Sequence, residues 1–181
     1  MAKTLILLAD GSEEMETVII VDVLRRAAWD VTMASVDHLD VTASRGVHLL
    51  ADKTFDAIDP ADYEVLLIPG GMGGTDRLKA HQGVLKTIRD FSDHAKWIGA
   101  ICAGPLVLQA AGILDEKLAT CHPGVRDQLT IPRESNSRVV VDGRIVTSQG
   151  PGTAFEFALR FIELIDSPEA MQAVADGLVL A

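Results

Sequence analysis

The sequence predicts an α/β fold: a mostly parallel sheet with helices on both faces. Three observations carry this reading. Short apolar runs of strand length alternate with segments of helical periodicity along the whole chain. The first of these runs, Lys3 to Ala9, is a short apolar run bounded by Asp10-Gly11-Ser12, as in a strand covered on both sides. Turn-forming clusters, Asp10-Gly11-Ser12 and Pro69 to Gly74, follow strands where the chain must cross over.

The elements follow in order. After the Lys3–Ala9 strand, Ser12 is a good helix N-cap, with Glu13, Glu14 and Glu16 favourably placed in the first turns. Met15, Val18, Ile19, Asp22 and Val23 continue at helical spacing to about Ala28. Asp30 to Val36 is a second strand, and Val41 to Leu50, alternating and interrupted by Gly46, a small hairpin. Tyr63 to Ile68 is an apolar strand that runs into a flexible glycine turn over Pro69 to Gly74. Val84 to His94 reads as helix, Trp97 to Ile101 as a central strand, and Gly104 to Ala111 as the next helix, with Gly112 as its C-cap. Leu118 to Thr120 is a short strand. Val139–Asp142 and Arg144–Ser148 flank Asp142-Gly143, a strong hairpin signal. Thr153 to Ile165 and Pro168 to about Ala175 are the last helices. No linker or repeat interrupts residues 1–181, a length suited to one domain.

Composition narrows the function. Hydrophobic residues make up 48% and charged residues 23%, so the chain is globular. Aromatics are only 4%, too few for base-stacking platforms. A net charge of −10 without a dense Lys/Arg cluster argues against nucleic acid as a partner. The first apolar run is too short for a signal-peptide core or a membrane span. Two cysteines without a targeting signal point to a reducing, cytoplasmic setting without a disulfide framework; Cys102 and Cys121 would bridge only if the fold brought them together. Zinc-type spacings such as CxxC and HExxH do not occur, so no metal or other cofactor is expected.

In open α/β sheets, sites form at the carboxyl ends of strands. Three segments fall there: Asp10 to Glu16, Pro69 to Gly74, and Cys102 to Gly104. In the last, the strand Trp97 to Ile101 runs straight into Cys102 and then Ala103-Gly104-Pro105. This is the layout of a nucleophile elbow, with small residues at minus two (Ala100) and plus two (Gly104) allowing the tight turn. A thiol at a helix N-terminus is expected to be acidified, from about 8.5 to roughly 3.5–7.5. Free N–H groups at the elbow and at Gly70-Gly71 would hold an oxyanion. The ordinary alternative is that Cys102 is a small buried hydrophobe; the elbow context and the glycine-rich turn in the same layer argue against it. Glu13 and Glu14 are read as plain helix-start charge. His122, fixed in an extended or turn conformation by Pro123, reads as structural on its own. Cys121, His38, His48, His81 and His94 receive no role.

Four stretches resemble a known family: Gly11-Ser12-Glu13-Glu14-Met15-Glu16-Thr17-Val18, Leu67-Ile68-Pro69-Gly70-Gly71, Ala100-Ile101-Cys102-Ala103-Gly104-Pro105, and Thr147-Ser148-Gln149-Gly150-Pro151-Gly152-Thr153. Together they look like the ThiJ/DJ-one/PfpI superfamily, in its DJ-one and bacterial YajL-like branch, matched in order from Leu5 to about Leu180. The resemblance implies a flavodoxin-like sandwich and a homodimer. It implies that Cys102 is a redox-sensitive nucleophile and that Glu16 is a buried, protonated acid hydrogen-bonded to its sulfur, a pair that titrates together. Gly71 and Ala103 match positions whose N–H groups face the reacting oxygen, with Gly70 and Gly104 in the same pocket. His122 matches a histidine near that pocket, where YajL-like relatives can carry another residue. The PfpI-type proteases have a histidine where this chain has Ala103, so proteolysis is not expected. The secondary cysteines of animal DJ-one proteins are replaced by Ala43 and Leu50.

The activity implied is a cysteine-dependent, glutathione-independent glyoxalase or deglycase acting on methylglyoxal, glyoxal or their early adducts. The alternatives are a non-enzymatic redox sensor or redox-regulated chaperone, through oxidation of Cys102 to the sulfinate, and an inactive scaffold.

Overall fold

The computed structural model describes residues 1–131 and 133–180, without the side chain of Glu134. The strands are β1 (Lys3–Leu8), β2 (Asp30–Ser35), β3 (Asp40–Thr42), β4 (His48–Leu50), β5 (Lys53–Thr54), β6 (Val65–Ile68), β7 (Trp97–Ile101), β8 (Leu118–Ala119), β9 (Arg133–Glu134), β10 (Val139–Asp142) and β11 (Ile145–Ser148). The helices are α1 (Glu14–Arg26), α2 (Met72–Ala80), α3 (Gln82–Asp93), α4 (Pro105–Ala110), α5 (Ala154–Ile165) and α6 (Pro168–Gly177). Seven strands form the main sheet in the order β10-β11-β7-β6-β1-β2-β5, and only the β10–β11 edge pair is antiparallel. The sequence-based fold class is therefore the observed one.

The strands are apolar throughout because both sheet faces are covered. Alternate residues of β1 enter different cores: Leu5 and Leu7 pack with α2, α3 and α4, whereas Ile6 and Leu8 pack with α1 and α5. On β7, Ile98 and Ala100 take the first face and Ile101 the second. Gly99 lies between: a Cβ there would meet Leu67 Cδ2 and the rings of Phe157 and Phe161 at 2.6–2.7 Å.

Two expectations are corrected. The glycine run after β6 is not a flexible turn throughout, because α2 begins at Met72 and takes Gly73 and Gly74 into its first turn. Helix propensity alone disfavours those glycines. Here close packing requires them: a Cβ on Gly74 would lie 2.5 Å from Ser12 Oγ, and one on Gly11 would lie 2.8 Å from Gly73 Cα. In α1, the helical spacing read from Met15 and Val18 is right for a helix but marks its outer side. Both are exposed, while Ile20, Val21, Val23 and Leu24 face the core. The two-residue strands β5 and β9 carry no sequence signal long enough to read.

Candidate active site

The three segments singled out at the carboxyl ends of β1, β6 and β7 converge. Beyond β1, Ser12 is not the N-cap of α1. Its buried hydroxyl instead accepts the N–H of Ala9 at 3.1 Å, closing the turn. Glu13 caps the helix, its Oε2 accepting the N–H of Glu16 at 2.7 Å. This places Glu16 in the first turn of α1, fully buried and aimed across the strand ends. Beyond β6, the N–H of Gly70 donates to Glu16 Oε2 at 2.6 Å. Gly71 follows at φ +85°, where a Cβ would lie 2.2 Å from Gly11 O; only glycine fits this turn.

Beyond β7, Cys102 takes φ +64°, the left-handed region. For a residue with a Cβ that conformation costs about 1–3 kcal/mol, and it persists only where neighbours enforce it. They do so here: Cys102 N–H donates to Ser148 O at 3.0 Å, and Cys102 O accepts the N–H of His122 at 2.9 Å. Gly104 lets the turn close, since a Cβ there would lie 2.6 Å from Ile68 O. A Cβ on Gly70 would lie 2.8 Å from the Cys102 sulfur. The result is a strand–elbow–helix that holds a part-buried thiol over the sheet, beside a fully buried carboxyl.

The electrostatics of this pair differ from the expectation for the thiol. Burial first, then the charge and hydrogen bond of Glu16, push the Cys102 thiol up to about 12, outweighing the N–H groups of Gly71 and Ala103 that favour the thiolate. The helix beyond the elbow, Pro105–Ala110, is too short for its dipole to reverse this. Burial likewise pushes Glu16 up to about 7, opposed by the Gly70 N–H and the bond to Cys102, and aided by the charge of Glu13. The second Glu16 oxygen, Oε1, is buried without a hydrogen-bond partner of ordinary geometry, an arrangement that suits a protonated carboxyl beside sulfur better than a carboxylate. Glu16 raises the Cys102 thiol by its charge and hydrogen bond, while the bond from Cys102 holds Glu16 down, so the two are coupled and the first proton leaves Glu16, near neutrality, before the thiol's.

Of the residues named from sequence, Cys102, Glu16, Gly70, Gly71, Ala103 and Gly104 come together. His122 joins them through its backbone, while its exposed ring accepts the Gly124 N–H on Nδ1 at 3.0 Å, which leaves any ring proton to Nε2. The ring borders a shallow cleft of about 190 Å³ shared with Arg138, Gln149, Gly150 and Thr153. A larger hollow of about 770 Å³ lies away from this chemistry, between Phe55–Ala61 and α3. Among the described residues, no cluster of three or more His, Cys, Asp or Glu is placed to hold a metal. No helix is long and apolar enough to cross a membrane.

Some positions matter more than the sequence indicated. Glu13 is the cap of α1. Glu14 turns away from the site to accept Ser44 Oγ–H and Arg45 N–H, both at 2.8 Å, pinning the β3–β4 hairpin to α1. Ser148 and Thr153, their hydroxyls 2.6 Å apart, brace the loop beside the elbow. The three-residue spacing of Glu13 and Glu16 was the available signal for the first; the others depend on contacts remote in sequence.

This arrangement has relatives. The profile described as the DJ-1/PfpI family matches residues 2–164. Protein DJ-1 homolog B of Arabidopsis thaliana is 42% identical over 161 residues, 88% of this chain, which spans only 37% of that protein's length. Parkinson disease protein 7 homolog of Danio rerio is 40% identical, over 98% of this chain and 97% of its own. A Caenorhabditis elegans protein named glutathione-independent glyoxalase DJR-1.2 is 34% identical, over 95% of this chain and 92% of its own. Among solved structures, oxidized Toxoplasma gondii DJ-1 superposes with a TM-score of 0.96 at 39% identity, covering 100% of both chains. A strand-end cysteine elbow on this sheet, with a family match over nine-tenths of the chain and relatives alike from end to end, makes the protein a member of the DJ-1/PfpI family.

Proposed function

We propose that the protein is a glutathione-independent glyoxalase, converting methylglyoxal and glyoxal to the corresponding hydroxy acids through Cys102. The observation that carries this reading is the geometry of the pair: Cys102 held on its elbow beside the fully buried Glu16 carboxyl, with the N–H groups of Gly71 and Ala103 directed at the sulfur. Such a pair holds what the reaction needs, a sulfur nucleophile and a proton in contact. The C. elegans relative's name supports the same class.

As the Glu16 carboxylate takes the Cys102 thiol proton, the sulfur attacks the aldehyde carbon, and the C=O electron pair becomes an alkoxide held by the Gly71 and Ala103 N–H groups. Glu16 delivers its proton to that oxygen, giving a hemithioacetal. As carboxylate it then takes the hydrogen from the former aldehyde carbon as a proton, giving an enediolate, and returns it to the adjacent carbon while the hydroxyl proton passes to the neighbouring oxygen, leaving a 2-hydroxy thioester. Water cleaves the thioester, releasing the hydroxy acid and restoring the thiol. Removal of free aldehyde in this way also depletes reversible glycation adducts, which accounts for deglycase behaviour without a separate activity. We assign His122, which the resemblance puts near the pocket, an assisting role in proton transfer through Nε2.

Methylglyoxal, supplied without glutathione, is expected to be consumed over many turnovers with lactate formed, and Cys102→Ala is expected to abolish both. Consumption limited to one equivalent, or none, would sink the enzymatic reading and favour a peroxide-responsive thiol. The T. gondii relative was solved in an oxidized form, which keeps that second reading in play.

We place the protein as a homodimer in the reducing cytoplasm. Met15 and Val18 on α1 are 56% and 52% exposed, and Val47 and Leu50 on the hairpin pinned to α1 are 48% and 72% exposed. Apolar side chains on adjoining elements suit a second copy. Val18→Glu with Leu50→Glu is expected to give a monomer in sedimentation; an unchanged dimer would move the interface elsewhere.

A further inference from the structure

We infer that Glu13 is a positioning residue for the Glu16–Cys102 pair: it closes a ring of three hydrogen bonds that fixes both the acid and the glycine turn facing the sulfur. The ring runs from Glu13 N–H to Gly70 O at 2.9 Å, from Gly70 N–H to Glu16 Oε2 at 2.6 Å, and from Glu16 N–H back to Glu13 Oε2 at 2.7 Å. This inference rests on the reading of Cys102 and Glu16 as a working pair.

The ring joins the loop after β1, the turn after β6 and the first turn of α1. Glu13 enters it twice, through its N–H and through its carboxylate. The backbone contact has a consequence for the sulfur. In a trans peptide the C=O and the following N–H point in opposite directions. Holding Gly70 O toward Glu13 therefore turns the Gly71 N–H away from it, toward Cys102, where that N–H favours the thiolate. The side-chain contact acts on the acid. Helix caps are usually shorter side chains, with less rotational freedom to lose. Glutamate at this cap brings a carboxylate to the N–H of the residue whose own carboxyl is pushed toward its protonated form.

The groups facing the Glu16 carboxyl are few: the Glu13 carboxylate from the cap, the Cys102 thiol from the elbow, and the Gly70 N–H from the turn. Glu14, next on the helix, faces the hairpin instead. A like charge at the cap disfavours ionisation of the pair, so removing it makes the pair more acidic.

The test is the pH dependence of Cys102 alkylation by iodoacetamide in wild type, Glu13→Gln and Glu13→Ala. Glutamine keeps an oxygen to accept the Glu16 N–H but carries no charge. Its midpoint is expected to move about one pH unit toward acid, with the limiting rate retained. Alanine is expected to show the same shift and, with the ring open, a limiting rate lower by about tenfold. A change in fold alone would lower rates without moving the glutamine midpoint. A wild-type limiting rate in Glu13→Ala, or wild-type midpoints in both variants, would overturn the inference; Glu13→Met, similar in length but without an acceptor, replaces the alanine variant if that one does not fold. Alkylation needs no aldehyde, so failed turnover of methylglyoxal by the wild type is a separate result that bears on the enzymatic reading only.

Discussion

Glu16→Gln is expected to stabilise the protein at neutral pH, by a margin that opens as the pH rises. Glu16 is fully buried and its carboxyl is pushed from the ordinary 4.5 up to about 7. A carboxyl raised in the folded state binds its proton more tightly there than in the unfolded chain. Its stabilising contribution is therefore fully present below pH 4.5 and is lost as pH rises to about 7. The loss corresponds to about 3 kcal/mol. Glutamine cannot ionise, accepts the Gly70 N–H with its oxygen and donates to sulfur with its amide, as the protonated acid does. Denaturant unfolding at fixed protein concentration should give similar stabilities for the two proteins at pH 4 and a gap approaching that value at pH 7.5. A gap that does not change with pH would show that Glu16 ionises as freely as in water. The same variant is expected to lose turnover, because the gain in stability comes from removing the group that moves the proton.

Gly70→Ala is expected to disable the thiol, although Gly70 itself has no positive φ for a side chain to strain. The added Cβ would lie 2.5 Å from Cys102 Cβ, 2.8 Å from its sulfur and 2.9 Å from the Ala103 nitrogen. Contacts that short cannot persist, so the elbow must move, taking with it the N–H that faces the sulfur. A displacement of about 1 Å at a reacting centre is worth about 100-fold in rate. Alkylation of Cys102 and aldehyde turnover should both fall by that order. Gly177→Ala, where a Cβ would meet nothing within 4 Å, is the matched control. An alanine at position 70 that alkylates at the wild-type rate would mean the elbow has room that these contacts deny.

Legibility in the sequence followed the range of the interactions. The sheet was readable because each strand's burial on two faces leaves a local trace, a run such as Leu5-Ile6-Leu7-Leu8. The elbow was readable because the tight turn at Cys102 demands small residues close by in sequence, Ala100 and Gly104. The direction of the thiol's pKa was not, since it depends on Glu16 closing over Cys102 from another element, and burial outweighs a six-residue helix. The start of α2 was obscured for a similar reason. Gly73 and Gly74 look like turn residues until Gly11 and Ser12 are seen packed against them. Glu13 and Glu14, adjacent and identical in type, divide between the acid and the hairpin, a difference that only the fold provides.

The division of the core into two faces bears on the chain's second sulfur. The backbone brings Cys121 close to the elbow, since the next residue, His122, donates its N–H to Cys102 O. Their side chains nevertheless belong to opposite sides of the sheet: Cys121 is packed with Leu106 and Val107, and Cys102 lies against the core of α1 and α5. Cysteines whose Cβ vectors diverge cannot be bridged without moving the backbone. A bridge to Cys121 would therefore require the elbow to move, so a sulfenate at Cys102 is expected to be reduced by a thiol from outside the chain or oxidised further to the sulfinate; an intramolecular disulfide seen by intact mass after limited peroxide would show that the elbow yields.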